Sequence, residues 1–181
     1  VLMPLFSDYD RDGISDAAVF GPPDWRWYAL ESGSGAMFGG GPIGWGFPGA
    51  TPVPGDFDGD LAVDLGVYDP ASGNWYIYSP ATGTILAWAL NWGWPGPQPA
   101  GAGCEAGRGL GAVPVAGDFD GDGADDLAVY GLATGDWYVY SPSRGLVLAW
   151  AVPWGLPPAG CAGAADFDGD GAAGRRQTPR H

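Results

Sequence analysis

The stretch GDFDGDGADDLAVY, residues 117–130, decides the fold of this chain. Its first half alternates aspartate with other residues between glycines. Its second half is a run of small apolar, β-branched and aromatic residues that is typical of a buried strand. Carboxylates this close together repel one another unless a cation lies among them. The stretch therefore predicts a metal-binding turn that leads directly into a strand.

The same pattern occurs four times along the chain. Counted from the first aspartate of each copy, at Asp8, Asp56, Asp118 and Asp166, the spacings are 48, 62 and 48 residues. The period is thus 48 residues, with one insertion of 14. A Trp-Tyr pair follows each of the first three copies at a constant distance, and a Trp-Gly pair closes each unit. A fixed period of this length predicts a repeat architecture.

Each unit contains short runs with strand character, separated by turn residues. In the third unit these runs are AVPVAGD, DLAVY, DWYVYS and LVLAWAV. Four strands in a repeat of roughly 40 to 50 residues are typical of one blade of a β-propeller. We therefore expect an all-β fold of tandem four-stranded antiparallel propeller-type blades, three complete and a fourth partial, either open or completed by other chains.

The period also sets the expected divisions of the chain. They are blade repeats at 1–50 and 51–94, a Gly/Pro-rich insertion loop at 95–111, a third blade repeat at 112–158, a partial fourth repeat at 159–174 and a tail at 175–181.

The overall charge limits the classes of partner. Seven basic residues against 21 acidic ones give a net charge of −14, which argues against binding of nucleic acid or of an anionic membrane surface. No apolar run approaches the roughly 18 residues of a membrane-spanning helix, so we expect no membrane insertion. A cation is the natural partner of this chain.

Within each loop, carboxylates occupy the first, third, fifth and ninth positions, and the main-chain carbonyl of the seventh position is a further candidate ligand. Calcium accepts six to eight oxygen ligands in flexible geometry. No histidine or cysteine lies in the loops, which argues against zinc or copper. The predicted Ca²⁺ ligands are Asp8, Asp10, Asp12, Ile14 and Asp16 in loop 1, Asp56, Asp58, Asp60, Ala62 and Asp64 in loop 2, Asp118, Asp120, Asp122, Ala124 and Asp126 in loop 3, and Asp166, Asp168 and Asp170 in loop 4. The alternative is a set of solvated, aspartate-rich turns.

Two copies depart from the pattern. Loop 2 has Leu61 at the sixth position, where the other loops have glycine, and a leucine held at positive φ would be strained. Loop 4 has Gly174 in place of the last aspartate. We expect a weaker second site and the weakest binding at the fourth.

The remaining reactive residues give little indication of chemistry. Cys104 and Cys161 are candidates for a disulfide, and two free thiols are the alternative. The single histidine is His181, and no nucleophile has a base at a recognisable spacing. We expect no catalytic residues, and the chain is not expected to be an enzyme.

The ten tryptophans raise the hypothesis of stacking on sugars. Most of them recur at equivalent positions, however, as residues that pack between blades do. Trp25 and Trp94 have no counterparts and are expected to be exposed. The tryptophans expected in the core are Trp27, Trp75, Trp88, Trp137 and Trp150.

Taken together, PVPGDFDGD, DLAVYGLATGDWYVYSP and the closing Trp-Gly resemble the calcium-binding β-propeller repeats called FG-GAP or VCBS type, which occur in integrin heads and in many secreted bacterial proteins. The resemblance covers nearly the whole chain except residues 95–111 and those after Gly171. It implies a four-stranded blade with the ion in the loop between its first two strands. It also implies an extracellular or cell-surface location.

Three functions are open at this point. In the first, the chain is a calcium-binding extracellular structural protein whose copies join head to tail into a filament or surface layer, because an unclosed heterologous interface produces fibres. In the second, it is a fragment of a closed propeller that binds a glycan or protein ligand, as adhesins and lectins do. In the third, it is the scaffold of a larger secreted enzyme. We expect the first.

Overall fold

The structure, a computed structural model, describes residues 2–96 and 111–154. The described part is all-β, as the sequence predicts, and forms three antiparallel sheets in the strand orders β1-β2-β3, β4-β5-β6-β7 and β8-β9-β10-β11. The strands are β1 (Met3–Ser7), β2 (Asp16–Gly21), β3 (Arg26–Leu30), β4 (Thr51–Gly55), β5 (Asp64–Asp69), β6 (Asn74–Ser79), β7 (Thr84–Asn91), β8 (Ala112–Gly117), β9 (Asp126–Gly131), β10 (Asp136–Ser141) and β11 (Leu146–Pro153). We call these sheets 1, 2 and 3.

Sheet 1 has three strands where the repeat predicts four. The place of a fourth strand is taken by two isolated antiparallel bridges to β3, from Leu30 to Met37 and from Trp27 to Ile43. Between these bridges the chain forms a short 3-10 turn with two consecutive glycines at positive φ, followed by a proline. Neither feature supports a continuous strand. The expectation of a complete four-stranded first unit is therefore wrong.

The aspartate loops connect the first two strands of each sheet. The ninth residue of each loop is also the first residue of the second strand, where it pairs with the last residue of the first strand. The pairs are Ser7 with Asp16 in sheet 1 and Gly117 with Asp126 in sheet 3. Each loop is thus anchored at both ends by the same antiparallel ladder.

Consecutive sheets pack face to face, with the first strand of each beside the first strand of the next. We call the side of a sheet that faces the following sheet its forward face, and the opposite side its rear face. The forward faces of sheets 1 and 2 consist of Tyr9, Ala18, Phe20, Trp27 and Ala29, and of Val53, Phe57, Tyr68, Trp75 and Ile77. The rear faces of sheets 2 and 3 consist of Leu65, Val67, Tyr76 and Tyr78, and of Leu127, Val129, Tyr138 and Tyr140. The same residue pattern therefore forms both junctions.

A tryptophan lies at the centre of each forward face. Trp27 and Trp75 are buried, as the sequence predicts, and the indole N–H of Trp75 donates to the carbonyl oxygen of Trp92 at 2.7 Å. The equivalent Trp137 is only half-buried. Burial of this position thus depends on the sheet that covers it.

We predict that Trp75→Ala lowers the free energy of unfolding by about 3–5 kcal/mol, because it removes a fully buried aromatic side chain and leaves a cavity. Trp137→Ala at the equivalent strand position should cost less, since no described sheet covers it. Chemical denaturation at low protein concentration measures both values. Equal losses would show that the two tryptophans have the same environment, contrary to the structure.

Candidate metal centres

The aspartate at the first position of each loop fixes the turn through main-chain hydrogen bonds. In loop 3, Asp118 Oδ1 accepts from the N–H groups of Gly121 at 2.6 Å and Asp122 at 3.2 Å, and its Oδ2 accepts from Gly123 at 3.0 Å. Loops 1 and 2 have the same three bonds. A side chain that satisfies three successive N–H groups explains why aspartate, rather than glutamate, occupies this position.

Two positions of each loop have positive φ. At the sixth position, Gly13 and Gly123 have φ of 83° and 91°, and Leu61 has φ of 68°, as the sequence predicts for a strained leucine. The fourth position is also left-handed: it is glycine in loops 2 and 3 but Arg11, with φ of 66°, in loop 1. The glycines at the fourth position of loops 2 and 3 were the signal in the sequence that this position is also left-handed.

We predict that Leu61→Gly stabilises the protein by about 1 kcal/mol, because a non-glycine residue in the left-handed region costs about 1–3 kcal/mol and the glycine entropy offsets only part of that. The leucine side chain is 78% exposed, so little packing is lost. Gly123→Leu is the matched control: no atom lies within 4 Å of the added Cβ, and the change should be destabilising. Thermal unfolding measures both changes, and a stabilising Gly123→Leu would contradict the explanation.

The carboxylates of each loop converge, as the spacing predicts, although with a different membership in loop 3. Oxygens of the first, third and ninth positions lie within 4.8 Å of one another in loops 1 and 2, and those of the first, third and fifth positions do so in loop 3. The clusters are Asp8, Asp10 and Asp16, then Asp56, Asp58 and Asp64, then Asp118, Asp120 and Asp122. Each cluster could hold a metal ion.

Several predicted ligands remain predictions. The three clusters consist of side-chain carboxylates, so ligation by the main-chain carbonyls of Ile14, Ala62 and Ala124 stays a prediction. The side chains of Asp12, Asp60 and Asp126 lie outside the converging sets. The fifth-position carboxylate accepts the N–H of the seventh position in every described loop, at 2.7 Å in loop 1, 2.8 Å in loop 2 and 3.0 Å in loop 3. Loop 4, with Asp166, Asp168 and Asp170, and the two cysteines, Cys104 and Cys161, lie outside the described residues.

The ninth-position aspartates are buried where the loop meets the sheet. Asp64 is 0% exposed, and its Oδ2 accepts from the N–H of Phe57 at 2.8 Å. In the described part of the chain, its Oδ1 has no partner in hydrogen-bonding geometry, and neither has Oδ1 of the equivalent Asp126. In loop 1, by contrast, Asp16 Oδ1 accepts from Ser32 at 2.7 Å. A buried carboxylate oxygen without a partner is costly unless a cation binds it.

Burial also changes the acidity of these groups. Desolvation raises the pKa of Asp64 to about 7, although the neighbouring Ser79 hydroxyl offsets part of this effect. Desolvation likewise raises the pKa of Asp126 to about 6. Without a cation, these carboxyl groups therefore hold a proton well above the usual range of aspartate.

We predict that the metal-free protein loses stability as pH rises from about 4 to 7. The folded state, in which the pKa of Asp64 is about 7, binds more protons in this range than the unfolded state, in which aspartate has a pKa of about 3.9. Urea unfolding in chelator at several pH values measures the slope. Asp64→Asn, which stays neutral, should have a shallower slope, and an unchanged slope would show that Asp64 is not the titrating group.

Neighbouring loops are linked by residues that the repeat pattern did not single out. The guanidinium of Arg11 in loop 1 forms an ion pair with Asp60 of loop 2 at 2.9 Å. Asp125 of loop 3 donates its N–H to the carbonyl of Asp56 at 2.6 Å, and its Oδ2 accepts the N–H of Asp56 at 2.8 Å. Only the third unit has an aspartate at this position, so Asp125 was visible in the sequence as an aspartate inside a loop that the loop spacing does not use.

In loop 3, basic and hydroxyl side chains approach the carboxylates from the β10–β11 turn. Arg144 lies 3.2 Å from both Asp120 and Asp122, and the hydroxyl of Ser143 donates to Asp122 at 2.6 Å. These contacts lower the pKa of Asp122, with the Ser143 hydrogen bond the largest cause. Among the described loops, loop 3 is also the one in which the fifth-position carboxylate belongs to the cluster.

Comparison with known proteins adds no relative. No protein-family model, curated protein or solved structure matches this chain. The described residues contain no helix that is long and apolar enough to cross a membrane. The interpretation of the three clusters therefore depends on their geometry.

Proposed function

We propose that this chain is a calcium-binding, extracellular structural repeat protein of propeller type, whose copies join head to tail into a filament or surface layer. The assembly is supported by one observation. The same junction between sheets occurs twice within the chain, and the two faces that would form a third such junction, the forward face of sheet 3 and the rear face of sheet 1, are uncovered at opposite ends of the described part.

The choice of calcium follows from the donors. Each cluster offers carboxylate oxygens alone, which suit a hard cation. Calcium accepts more oxygens in less regular geometry than magnesium, and extracellular modules bind it with dissociation constants of about 10⁻⁴–10⁻³ M. Oδ1 of Asp64 is fully buried beside its cluster and has the Ser79 hydroxyl as a neighbour but no hydrogen-bond partner in good geometry, which supports occupancy by an ion.

The propeller interpretation has two supports. Sheets 2 and 3 are four-stranded antiparallel meanders that pack face to face with their first strands adjacent. The candidate metal loop lies between the first and second strands of every sheet, where the FG-GAP and VCBS repeats that the sequence resembles carry their ion.

The forward face of sheet 3 lacks the cover that its counterpart has. In sheet 2, Phe57 and Trp75 are buried against sheet 3. Their equivalents Phe119 and Trp137 are half-buried, and within residues 2–96 and 111–154 no sheet packs on them. The forward face of sheet 3 therefore exposes side chains equivalent to those with which sheet 2 packs on the rear face of sheet 3.

The rear face of sheet 1 is uncovered in the complementary way. Leu65 in sheet 2 is fully buried by sheet 1, whereas its equivalent Ala17 is exposed. Leu30, which corresponds to the half-buried Tyr78, is 50% exposed. A second copy can thus repeat on this face the junction that already occurs twice, and repetition of a heterologous junction generates a linear polymer.

We predict that the purified chain assembles in millimolar calcium in a concentration-dependent way. Ala17→Arg should keep it monomeric, because it places an unpaired charge in the centre of the junction without touching the monomer core. Ile85→Arg, at an exposed position of the outer strand β7, is the matched control and should assemble normally. Light scattering coupled to size exclusion, with electron microscopy of the products, measures the outcome. Discrete monomers or closed rings for the native chain would contradict the filament.

We predict that calcium, more than magnesium, raises the melting temperature of the monomeric Ala17→Arg variant. Binding to the folded state alone contributes about 2.7 kcal/mol per site at 100 times the dissociation constant. Asp64→Asn should reduce the calcium effect by about one site, whereas Asp69→Asn, outside the loops, should not. Equal responses to calcium, magnesium and chelator would contradict the calcium proposal and leave the assembly test unaffected.

A further inference from the structure

Two open grooves lie at the junctions between consecutive sheets, on the outer side of the molecule. The first, of about 370 Å³, is lined by Trp45, Tyr76 and Trp88. The second, of about 440 Å³, is lined by the equivalent Trp92, Tyr138 and Trp150. Both volumes lie within the range of roughly 300–1,000 Å³ that is typical of small-molecule sites.

The aromatic rings have nearly the same arrangement in both grooves. The ring centroids of Tyr76 and Trp88 are 5.3 Å apart and the ring planes are at 88° to each other. For Tyr138 and Trp150 the centroid distance is 5.2 Å and the angle between the planes is 88°. Trp88 and Trp150 lie 6.1 Å from Trp45 and Trp92, at 66° and 65°. The chain therefore carries two copies of one aromatic site.

One tryptophan of each site is exposed, contrary to the expectation that both belong to the core. Trp88 and Trp150 are each 70% exposed. Trp25 and Trp94, expected to be exposed, are partly buried instead: Trp25 packs on Phe20, and Trp94 packs on Tyr138. A tryptophan that is 70% exposed gains little from burial, so its edge contact with Trp45 or Trp92 accounts for only part of its recurrence at this position.

The main chain is distorted next to both exposed tryptophans. The pairing of β6 with β7 and of β10 with β11 shifts register twice near these tryptophans, so that each outer strand carries two more residues than the strand it pairs with. The following residues, Ala89 and Ala151, have φ of 54° and 52°, which is unfavourable for alanine. Bulges of this kind redirect side chains and are common beside functional sites.

The polar groups of the grooves restrict the ligand. Among the described residues that line them there is no lysine, arginine or histidine, and the only acid is Asp69 in the first groove. An anionic ligand would find no partner. The second groove offers Asn91 and Thr134 as hydrogen-bonding neighbours of its aromatic wall.

We propose that the two grooves bind neutral carbohydrate, with one pyranose ring stacked on Trp88 and another on Trp150. The C–H groups on one face of a pyranose are apolar and weakly positive, and they complement the negative face of an indole. The hydroxyl groups at the ring edge then bond to polar groups that line the grooves, which are Asp69 in the first and Asn91 and Thr134 in the second. A cationic ligand would be favoured only in the first groove, by Asp69. The second groove has Gly131 at the equivalent position, so a ligand shared by both grooves is not cationic.

Two equivalent grooves on one chain favour a polymer over a single sugar. Binding of one segment raises the effective concentration of the next segment at the second groove, so that the combined affinity exceeds that of either groove. The ligand class is therefore a neutral polysaccharide.

Affinity electrophoresis of the full chain tests this proposal, in native gels that contain dextran, amylose, galactomannan or xyloglucan. At least one of these should retard the native protein. Trp88→Ala and Trp150→Ala should each weaken the retardation, and the double variant should lose it by at least tenfold. Trp88→Phe, which keeps an aromatic surface, should retain part of it. Ile85→Ala and Val147→Ala, at exposed positions of the same strands outside the grooves, are the controls and should behave as the native chain.

Quenching of tryptophan fluorescence by acrylamide provides a second measurement that needs no variant. Bound polysaccharide should shield Trp88 and Trp150 and so reduce the quenching, while Trp154, which is 59% exposed outside the grooves, stays accessible. The proposal is overturned if none of the four polysaccharides retards or shields the native chain. It is also overturned if retardation survives in the double variant, or if polygalacturonate or choline chloride binds in preference to the neutral polymers.

Discussion

The structure depends on one buried carboxylate in each unit, at the ninth position of the aspartate loop. This residue is the first of the second strand, and its carboxylate accepts a hydrogen bond from the main-chain N–H of the second loop position. In loops 1 and 2 it also lies close to the other carboxylates of its cluster. A carboxylate in this place is unfavourable by itself, since burial raises the pKa of Asp64 to about 7. A bound cation would offset that cost, and the loop, the strand register and the ion would then stabilise one another.

The junction between sheets is the second constraint. A sheet of this kind is apolar on both faces, and each face is covered only when another sheet lies against it. The polar links between loops 1 and 2 and between loops 2 and 3 lie on the same junctions. An ion bound in one loop would therefore also favour the stacking of sheets, because a loop that is held in place also holds its neighbour.

The sequence predicts the repeated part of the fold well. The period places the loops, the strand runs give the all-β architecture, and the spacing of the aspartates brings the first and third positions together in every described loop. Three features were not predictable from the period. The missing fourth strand of sheet 1 results from glycines and a proline that are particular to that copy. The exposure of Trp88 depends on a bulge, which alters the alternation of side chains without changing the residue pattern. The contact of Asp125 with Asp56 joins residues 69 apart in sequence and depends on how two sheets pack.

If each described loop is a cation site, as we propose, the number of calcium ions bound per chain should equal or exceed the number of clusters. Equilibrium dialysis of the metal-free protein against millimolar calcium, followed by elemental analysis, gives this number. We expect at least three ions per chain, one for each of the three clusters, and one fewer in Asp64→Asn. A native chain that binds no calcium under these conditions would show that the loops are not cation sites, because the buried carboxylates would then have to be explained by the protein alone.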